Sequence, residues 1–229
     1  KNIKGIAKAK SEIICNIKKG GTIILNRDDK YFNYLLNKAS IHNLKVVTFG
    51  KNQKSDVRLK KIISKKNYLK LFVIIDNKTI DLDIKDINIY NVLASLALLK
   101  ELKINIKRIK SKFKSIEPSI GRGKKYFISR YKKNFTFIDE SYNANPLSVK
   151  NAILRFGLIK KKKFKKYLIL GDMLELGSKS KKYHVEISRV INNSDIDKVF
   201  IKGKKTIFTY KHLNKGKRGN ILQNIDDID

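Results

Sequence analysis

Two short acidic segments carry the residue types that could do chemistry. The first, residues 139–146, reads DESYNANP and begins with two adjacent carboxylates, Asp139 and Glu140. Carboxylates could accept hydrogen bonds from ribose hydroxyls or help to hold a metal ion. Asn145 followed by Pro146 is typical of a helix start, whose free backbone N–H groups attract anions such as phosphate. An ordinary capped turn with exposed acids explains the same residues equally well.

The second acidic segment, residues 171–177, reads GDMLELG, and His184 follows after six further residues. The glycines permit tight backbone turns around Asp172 and Glu175. Acids between two glycines are weak evidence of function when they stand alone. A single histidine is more often a core or helix-surface residue than a catalytic one, so the roles of Asp172, Glu175 and His184 stay open.

Both segments follow predicted strands, in a chain where strand-like apolar runs alternate with stretches of helical period. The predicted strands are residues 22–25, 46–49, 71–75, 135–138, 167–170 and 199–201. The predicted helices are residues 31–39, 89–102, 106–116, 146–156, 180–191 and 206–213, the first of them capped by Asp28 or Asp29. This alternation predicts an α/β fold with mostly parallel sheets, in which ligands bind beyond the carboxyl ends of the strands.

The candidate domain boundary lies at residues 117–123. Glu117-Pro118 and Gly121-Arg122-Gly123 interrupt the alternation with residue types that break helices and strands. We therefore predict two domains, residues 1–120 and residues 121–229.

The composition allows a buried core and raises one alternative function. The 229 residues are 41% hydrophobic and carry a formal net charge of +33, with 53 Lys and Arg. Such a charge could bind nucleic acid through phosphate contacts, which is the alternative function. However, the lysines are spread along the whole chain together with many Ile and Asn residues, as an A/T-rich genome would produce. We predict that the densest run, between Lys160 and Lys166, is a solvated loop.

The sequence favours a cytoplasmic location. Cys15 is the one cysteine, which excludes a disulfide framework and a zinc cluster and fits a reducing cytosol. No run approaches the roughly 20 apolar residues that cross a bilayer, and no signal peptide is visible. Nothing in the sequence indicates an oligomeric state, so a monomer is the default expectation.

The two acidic segments, taken together with others, resemble a known family. They are similar to segments of the C-terminal domain of the Mur ligases, the ATP-dependent amide ligases of peptidoglycan synthesis. The matching segments are IDESYNANP at residues 138–146 and LGDMLELG at residues 170–177, followed by His184. GIAKAKSEI at residues 5–13 resembles the family's GxAxAKxEI segment, and GTIILNRDD at residues 21–29 resembles its strand ending in NxDD. Asn88 and Asn91 match the asparagines of its HNxxN helix start, and Gly121-Arg122 matches the GR at its last domain boundary.

This resemblance implies a fold and a reaction. Residues 1–120 would be the C-terminal part of the central ATP-binding domain, and residues 121–229 a Rossmann-like C-terminal ligase domain that is incomplete at its end. The SYNANP motif resembles that of the family members that join D-alanyl-D-alanine to UDP-N-acetylmuramoyl-tripeptide. Such ligases use ATP, with Mg²⁺, to convert a substrate carboxylate into an acyl phosphate, which the incoming amine attacks.

The resemblance assigns four residues to the nucleotide. Asn91, with Asn88 beside it, would contact the adenine. Glu140 matches the acid that contacts the ribose, and Arg122 matches an arginine near the nucleotide. Helix capping is the alternative role for Asn88.

The resemblance also supplies the candidate catalytic residues. Lys10 corresponds to the carbamylated lysine of the family, and its carbamate would be a ligand for Mg²⁺. The alternative for Lys10 is an ordinary surface lysine. Tyr142, Asn143 and Asn145 would line the cleft near the acyl phosphate and the incoming dipeptide, and His184 belongs to the site-facing loop of the last domain. We take Lys10, Asn143, Asn145 and His184 as the candidate catalytic set.

The sequence departs from the family pattern at three places. Ile87 stands where HNxxN has its histidine, no GxxGKT phosphate loop occurs in the 229 residues, and a KGSR-like segment is missing. The resemblance would place the phosphate loop ahead of Lys1, and residues 225–229 show no obvious final strand. We therefore interpret the chain as part of a longer ligase and expect no ligase turnover from it alone.

Overall fold

The computed structural model describes residues 3–85, 87–130, 132–160 and 164–224. The chain divides into two compact units, Lys1–Ser119 and Ile120–Asp229. Two predictions concern residues outside this description. They are the middle of the predicted lysine-rich loop and the predicted lack of a strand at residues 225–229. Within the described part of the chain, no helix combines the length and apolar character needed to cross a membrane.

The first unit is built on one five-stranded sheet. Its strands, in spatial as well as chain order, are β1 (Thr22–Asn26), β2 (Lys45–Gly50), β3 (Val57–Ser64), β4 (Leu69–Ile75) and β5 (Lys78–Ile84). β1, β2 and β3 run parallel, whereas β3, β4 and β5 form an antiparallel meander. The sheet is therefore mixed. Ligands of such sheets bind beyond the carboxyl ends of parallel strands, so the edge formed by β1, β2 and β3 is the part that suits a ligand.

Among its described residues, the first unit has a large buried apolar cluster and a smaller one around Ile14, Ala39 and Leu44. Its helices are α1 (Ile3–Ser11), α2 (Phe32–Ile41), α3 (Ile89–Glu101) and α4 (Ile106–Ile109), with 3₁₀ turns at Glu12–Asn16 and Lys110–Ser115. α3 buries Leu93 and Leu96 completely against strand residues such as Val57 and Leu71. This packing fixes the helix whose first turn carries the predicted adenine contacts.

The second unit contains a three-stranded parallel sheet and a separate hairpin. The parallel sheet has the order β10 (Arg218–Ile221), β9 (Lys198–Lys202), β8 (Tyr167–Gly171), and the hairpin consists of β6 (Lys124–Arg130) and β7 (Lys133–Asp139). The helices are α5 (Pro146–Leu158), α6 (Ser180–Asn192) and α7 (Thr206–Lys211). The α/β class is confirmed, but the predicted strand at residues 135–138 belongs to the antiparallel hairpin rather than to the parallel sheet.

The lysine run ends in a buried residue rather than in solvent. Lys166 is only 1% exposed, which corrects the prediction of a solvated loop at this position. Its Nζ donates to the Gly157 carbonyl oxygen at 2.7 Å and to Asp195 Oδ2 at 3.1 Å. A buried ammonium group is tolerated when partners replace its lost water contacts, and these two partners connect the end of α5 to the loop before β9.

Candidate functional site

The start of α3 presents the two asparagines predicted to contact adenine. Asn88 is the N-cap, and its Oδ1 accepts a hydrogen bond from the backbone N–H of Tyr90 at 2.8 Å. The capping role that the sequence left open is therefore confirmed, but the cap uses only the oxygen of the amide. Asn91 is exposed in the first turn of α3. An exposed amide can both donate and accept, which is the pattern that an adenine edge requires.

The two aspartates of the NxDD segment have different roles. Asp29 Oδ1 accepts from the Tyr31 N–H at 2.7 Å, so Asp29 forms the turn that leads into α2. Asp28 instead accepts from the backbone N–H groups of Lys51 and Asn52 after β2, at 2.6 and 2.9 Å. The predicted cap by Asp28 or Asp29 is wrong, because the N-cap of α2 is Tyr31 and no side chain forms a capping bond there.

Lys10 lies in the last turn of α1 and is exposed. The described residues contain no cluster of three or more His, Cys, Asp or Glu side chains that could hold a metal ion. The prediction that carbamylated Lys10 binds Mg²⁺ therefore stays a prediction, and a carbamate there would be one ligand beside water and phosphate oxygens.

The turn after β7 separates the roles of its two carboxylates. Asp139 Oδ2 accepts from the Gly121 N–H at 3.0 Å, and its Oδ1 accepts from the Ser141 hydroxyl at 2.6 Å and the Ser141 N–H at 3.0 Å. The hydrogen bond from the Ser141 hydroxyl, followed by the backbone bonds, lowers the pKa of Asp139 below its usual value. Asp139 is thus engaged inside the turn, and Glu140 is the acid that faces outward.

Glu140 and Arg122 lie on exposed parts of this unit with partners of their own. Glu140 Oε1 accepts from Arg155 Nη2 at 2.7 Å, in an ion pair whose side chains are 38% and 67% exposed. The Arg122 guanidinium stacks 4.3 Å from the ring centroid of Tyr142. Exposed ion pairs contribute little stability, so a ligand hydroxyl could replace Arg155 at Glu140 at small cost. No local sequence pattern indicates that Arg155 or Tyr142 would be these partners.

Asn145 begins α5 with a capping box. Its Oδ1 accepts from the N–H groups of Leu147 and Ser148 at 3.1 and 3.0 Å, and Ser148 Oγ accepts from the Asn145 N–H at 3.1 Å. The predicted helix start at Asn145 and Pro146 is confirmed. Asn143, two residues earlier, is exposed and lies outside any helix or strand. The prediction that both asparagines are catalytic remains open, but only Asn143 has a side chain that the cap does not use.

Asp172 joins the end of β8 to the start of α7. Its Oδ1 accepts from the backbone N–H groups of Lys205 and Thr206 at 2.9 and 2.7 Å. Gly203 approaches so closely that an added Cβ would overlap the Asp172 carboxylate. This residue therefore braces two loops at the carboxyl ends of β8 and β9.

His184 is fully buried in α6 and has partners on both ring nitrogens. Nε2 accepts from the Met173 N–H at 3.2 Å, and Nδ1 donates to the Ser180 carbonyl oxygen at 2.8 Å. These bonds fit a neutral imidazole with its proton on Nδ1. The catalytic role of His184 stays a prediction, and the geometry favours a residue that holds the loop carrying the exposed Glu175.

The two units of the chain match two domains of the Mur ligases. The family model for the Mur ligase middle domain matches residues 1–99, and the model for the Mur ligase glutamate ligase domain matches residues 127–227. The chain belongs to the Mur ligase family.

Similar curated proteins carry a more specific name. The UDP-N-acetylmuramoyl-tripeptide–D-alanyl-D-alanine ligase of Buchnera aphidicola subsp. Baizongia pistaciae is 28% identical over 232 residues, which cover 100% of this chain and 48% of the relative. The ligase of the same name from Buchnera aphidicola subsp. Acyrthosiphon pisum is 30% identical, covering 95% of this chain and 47% of the relative. The chain spans about half the length of the curated relatives it matches.

A solved structure shows the same fold. The MurF ligase of Thermotoga maritima, in complex with ADP, superposes with a TM-score of 0.72 at 22% identity, covering 97% of this chain and 49% of that one. At this identity the likeness concerns the fold alone. The matches with curated relatives favour the ligase over the nucleic-acid alternative.

Proposed function

We propose that this chain is part of an ATP-dependent ligase that joins D-alanyl-D-alanine to UDP-N-acetylmuramoyl-tripeptide in the bacterial cytoplasm. The observation that carries the proposal is the turn at residues 139–146. This turn contains the SYNANP motif, and in it Glu140 faces outward and Asn143 is exposed. The curated relatives that match nearly the whole chain bear the name of this ligase, which supports the same reading.

Each unit, taken by itself, has exposed residues whose chemistry fits a group of a nucleotide. In the first unit, the exposed Asn91 amide suits the adenine edge, and the amide NH₂ group of Asn88 is a donor that its capping bond does not use. In the second unit, Glu140 suits a ribose hydroxyl, and the cationic Arg122 suits the phosphates. ATP, when bound, supplies the phosphoryl group that activates the substrate carboxylate as an acyl phosphate.

The second unit offers side chains for the acceptor reaction. The exposed Asn143 amide could donate to an acyl oxygen as negative charge develops on it, which is the electrostatic role of an oxyanion hole. The Asn145 side chain is committed to the start of α5, so we assign it the positioning of Asn143 rather than contact with substrate. Lys10, as a carbamate, would add an anionic oxygen ligand for Mg²⁺.

Ligand binding by the chain tests the proposal. Saturation-transfer NMR should show D-alanyl-D-alanine and ADP binding, with L-alanyl-L-alanine as the control that matches the dipeptide in size and charge. We expect transfer to the D,D dipeptide and little to its L,L isomer, and a loss of the D,D signal in Asn143→Ala. Equal signals from both isomers, or none from either, would contradict an acceptor site in this chain.

Catalytic turnover is a separate expectation. Because no GxxGKT loop occurs in the 229 residues, we expect the chain alone to release no ADP when tripeptide, dipeptide and MgATP are supplied. Release that depends on both substrates would show that these residues suffice for the reaction.

A further inference from the structure

The carboxylate of Asp28 connects three segments at the parallel edge of the first sheet. Its Oδ2 accepts from the Lys51 N–H at 2.6 Å, and its Oδ1 accepts from the Asn52 N–H at 2.9 Å. Oδ2 also accepts from the hydroxyl of Tyr90 at 3.1 Å. Asp28 follows β1, Lys51 and Asn52 follow β2, and Tyr90 lies in the first turn of α3. One side chain therefore sets the two strand-end loops and the helix start relative to one another.

Gly50 allows this close approach. A Cβ added at Gly50 would lie 2.8 Å from Asp28 Oδ2, well inside ordinary van der Waals contact. An alanine there would have to displace the carboxylate from its backbone donors. The sequence thus provides both the acceptor and the space that the acceptor needs.

Tyr90 is the donor that extends this contact to the helix. Its ring is partly buried, and the Lys51 ammonium lies 5.8 Å from the ring centroid. Burial, followed by the hydrogen bond to Asp28, raises the pKa of the Tyr90 phenol, so the hydroxyl keeps its proton and remains a donor at neutral pH.

The geometry points to Asp28 and Tyr90 as positioning residues for the nucleotide side of the proposed ligase. Asn91 follows Tyr90 directly, and Asn88 caps the helix two residues before it. In a helix each residue is turned about 100° from the last, so anchoring Tyr90 also sets the direction in which the Asn91 side chain leaves the helix. Asp28 and Tyr90 act through Asn88 and Asn91, and the inference rests on the proposed nucleotide function.

The contact at Asp28 differs from the similar one at Asp172 in the second unit. Asp172 also accepts two backbone N–H groups from the loop after the neighbouring parallel strand. At Asp28 a side chain, that of Tyr90, is a further donor, and this donor lies in the helix with the predicted adenine contacts. The backbone hydrogen bonds of both aspartates hold neighbouring strand-end loops together. The hydrogen bond from the Tyr90 hydroxyl to Asp28 has a different effect, because it fixes the start of α3.

The test compares three variants of the chain by ¹⁵N NMR. Tyr90→Phe removes the hydroxyl, and Asp28→Asn replaces one acceptor oxygen by an NH₂ group that cannot accept. Tyr34→Phe is the matched control, because Tyr34 lies on α2 and its hydroxyl contacts Ser11 Oγ of α1 at 3.3 Å. The readouts are the amide resonances of Asn91, the hydrogen exchange of the amide protons after β2, and the affinity for adenosine and for MgADP.

We expect Tyr90→Phe to shift the Asn91 side-chain resonances and to weaken adenosine binding about tenfold, the usual scale for one hydrogen bond to a charged group. Asp28→Asn should do the same and also speed the exchange of the Lys51 or Asn52 amide about tenfold or more. Tyr34→Phe should leave all three readouts at their wild-type values.

Unmoved Asn91 resonances in Tyr90→Phe would overturn the inference, whether or not a nucleotide binds. Wild-type affinity for adenosine in that variant would overturn it as well, as would an equal loss in Tyr34→Phe. If the wild-type chain binds neither adenosine nor MgADP, the proposed nucleotide function fails in this chain. The positioning of Asn91 is then decided by its resonances alone.

Discussion

Replacing Gly203 by alanine should destabilise the second unit through its contact with Asp172. Gly203 has a φ of +122°, a conformation that residues with a side chain rarely adopt. An added Cβ would also overlap the carboxylate of Asp172, which holds the N–H groups of Lys205 and Thr206 at the start of α7. The substitution therefore combines backbone strain with the loss of a helix cap.

The two effects set the expected magnitude. Backbone strain of this kind costs about 1–3 kcal/mol, and the loss of a side-chain cap costs about 0.5–2 kcal/mol. Together they should lower the free energy of unfolding by about 2–4 kcal/mol. With a urea dependence of about 2 kcal/mol per molar, the midpoint should fall by about 1–2 M.

Urea unfolding followed by far-UV circular dichroism measures this loss, with hydrogen exchange of residues 164–224 to locate it in the second unit. Gly216→Ala is the matched control, because a Cβ added at Gly216 meets no atom within 4 Å. A change below about 0.5 kcal/mol in Gly203→Ala, the range of ordinary surface substitutions, would refute the reasoning. An equal loss in Gly216→Ala would refute it too.

Three other predictions concern single side chains. His184→Gln should lower the thermal midpoint by several degrees, since it disrupts the buried bonds to Met173 and Ser180, whereas His212→Gln at an exposed position should not. Asn145→Ala should cost about 1 kcal/mol in urea unfolding by removing the cap of α5, and a change within error would count against it. The Lys110 hydrogen bond, then that of Lys70, lowers the pKa of Asp81 to about 2. The stability it gives is therefore present above its usual pKa of 3.8 and lost as the pH falls toward 2. Because the Asp81 side chain is 42% exposed and water screens its ion pairs, we expect this contribution to be less than about 1 kcal/mol. It is measured as the difference in acid-induced destabilisation between wild type and Asp81→Asn, and equal pH profiles would contradict it.

The strand–helix alternation was predictable where local pattern and tertiary packing agree. All six predicted helices are present, although the one at residues 106–116 is α-helical only over its first turn and continues as 3₁₀. β5 was missed although Ile80, Leu82 and Ile84 alternate with polar residues, which is the usual signal of a half-buried strand. β3 was harder to find, since a register shift between Leu59 and Lys61 interrupts its period of two.

Other elements carry little signal of their own. β10 is four residues long and contains Gly219, so it exists through its pairing with β9 rather than through strand propensity. β6 alternates poorly because aromatic residues lie on both faces of the hairpin, including Phe127, which is 87% exposed. Such strands depend on long-range pairing, which a local pattern does not show.

The candidate site was predictable by position but not by role. Strand ends drew attention to Asp139, Glu140 and Asp172. Asp172 follows a strand of the parallel sheet as expected, whereas Asp139 and Glu140 lie at the end of a strand in the antiparallel hairpin. Which acid faces outward depends on backbone donors distant in sequence, such as Gly121 for Asp139 and Thr206 for Asp172. Likewise, nothing local indicated that Lys166 would be buried, since its partner Asp195 lies 29 residues away.

ADP release by the protein purified from its natural source tests the central claim most directly. The assay supplies MgATP and UDP-N-acetylmuramoyl-tripeptide with either D-alanyl-D-alanine or a single amino acid such as D-glutamate. The proposed function predicts that release depends on the tripeptide and on D-alanyl-D-alanine. Release with the single amino acid in place of the dipeptide, or no release with any acceptor, would contradict it.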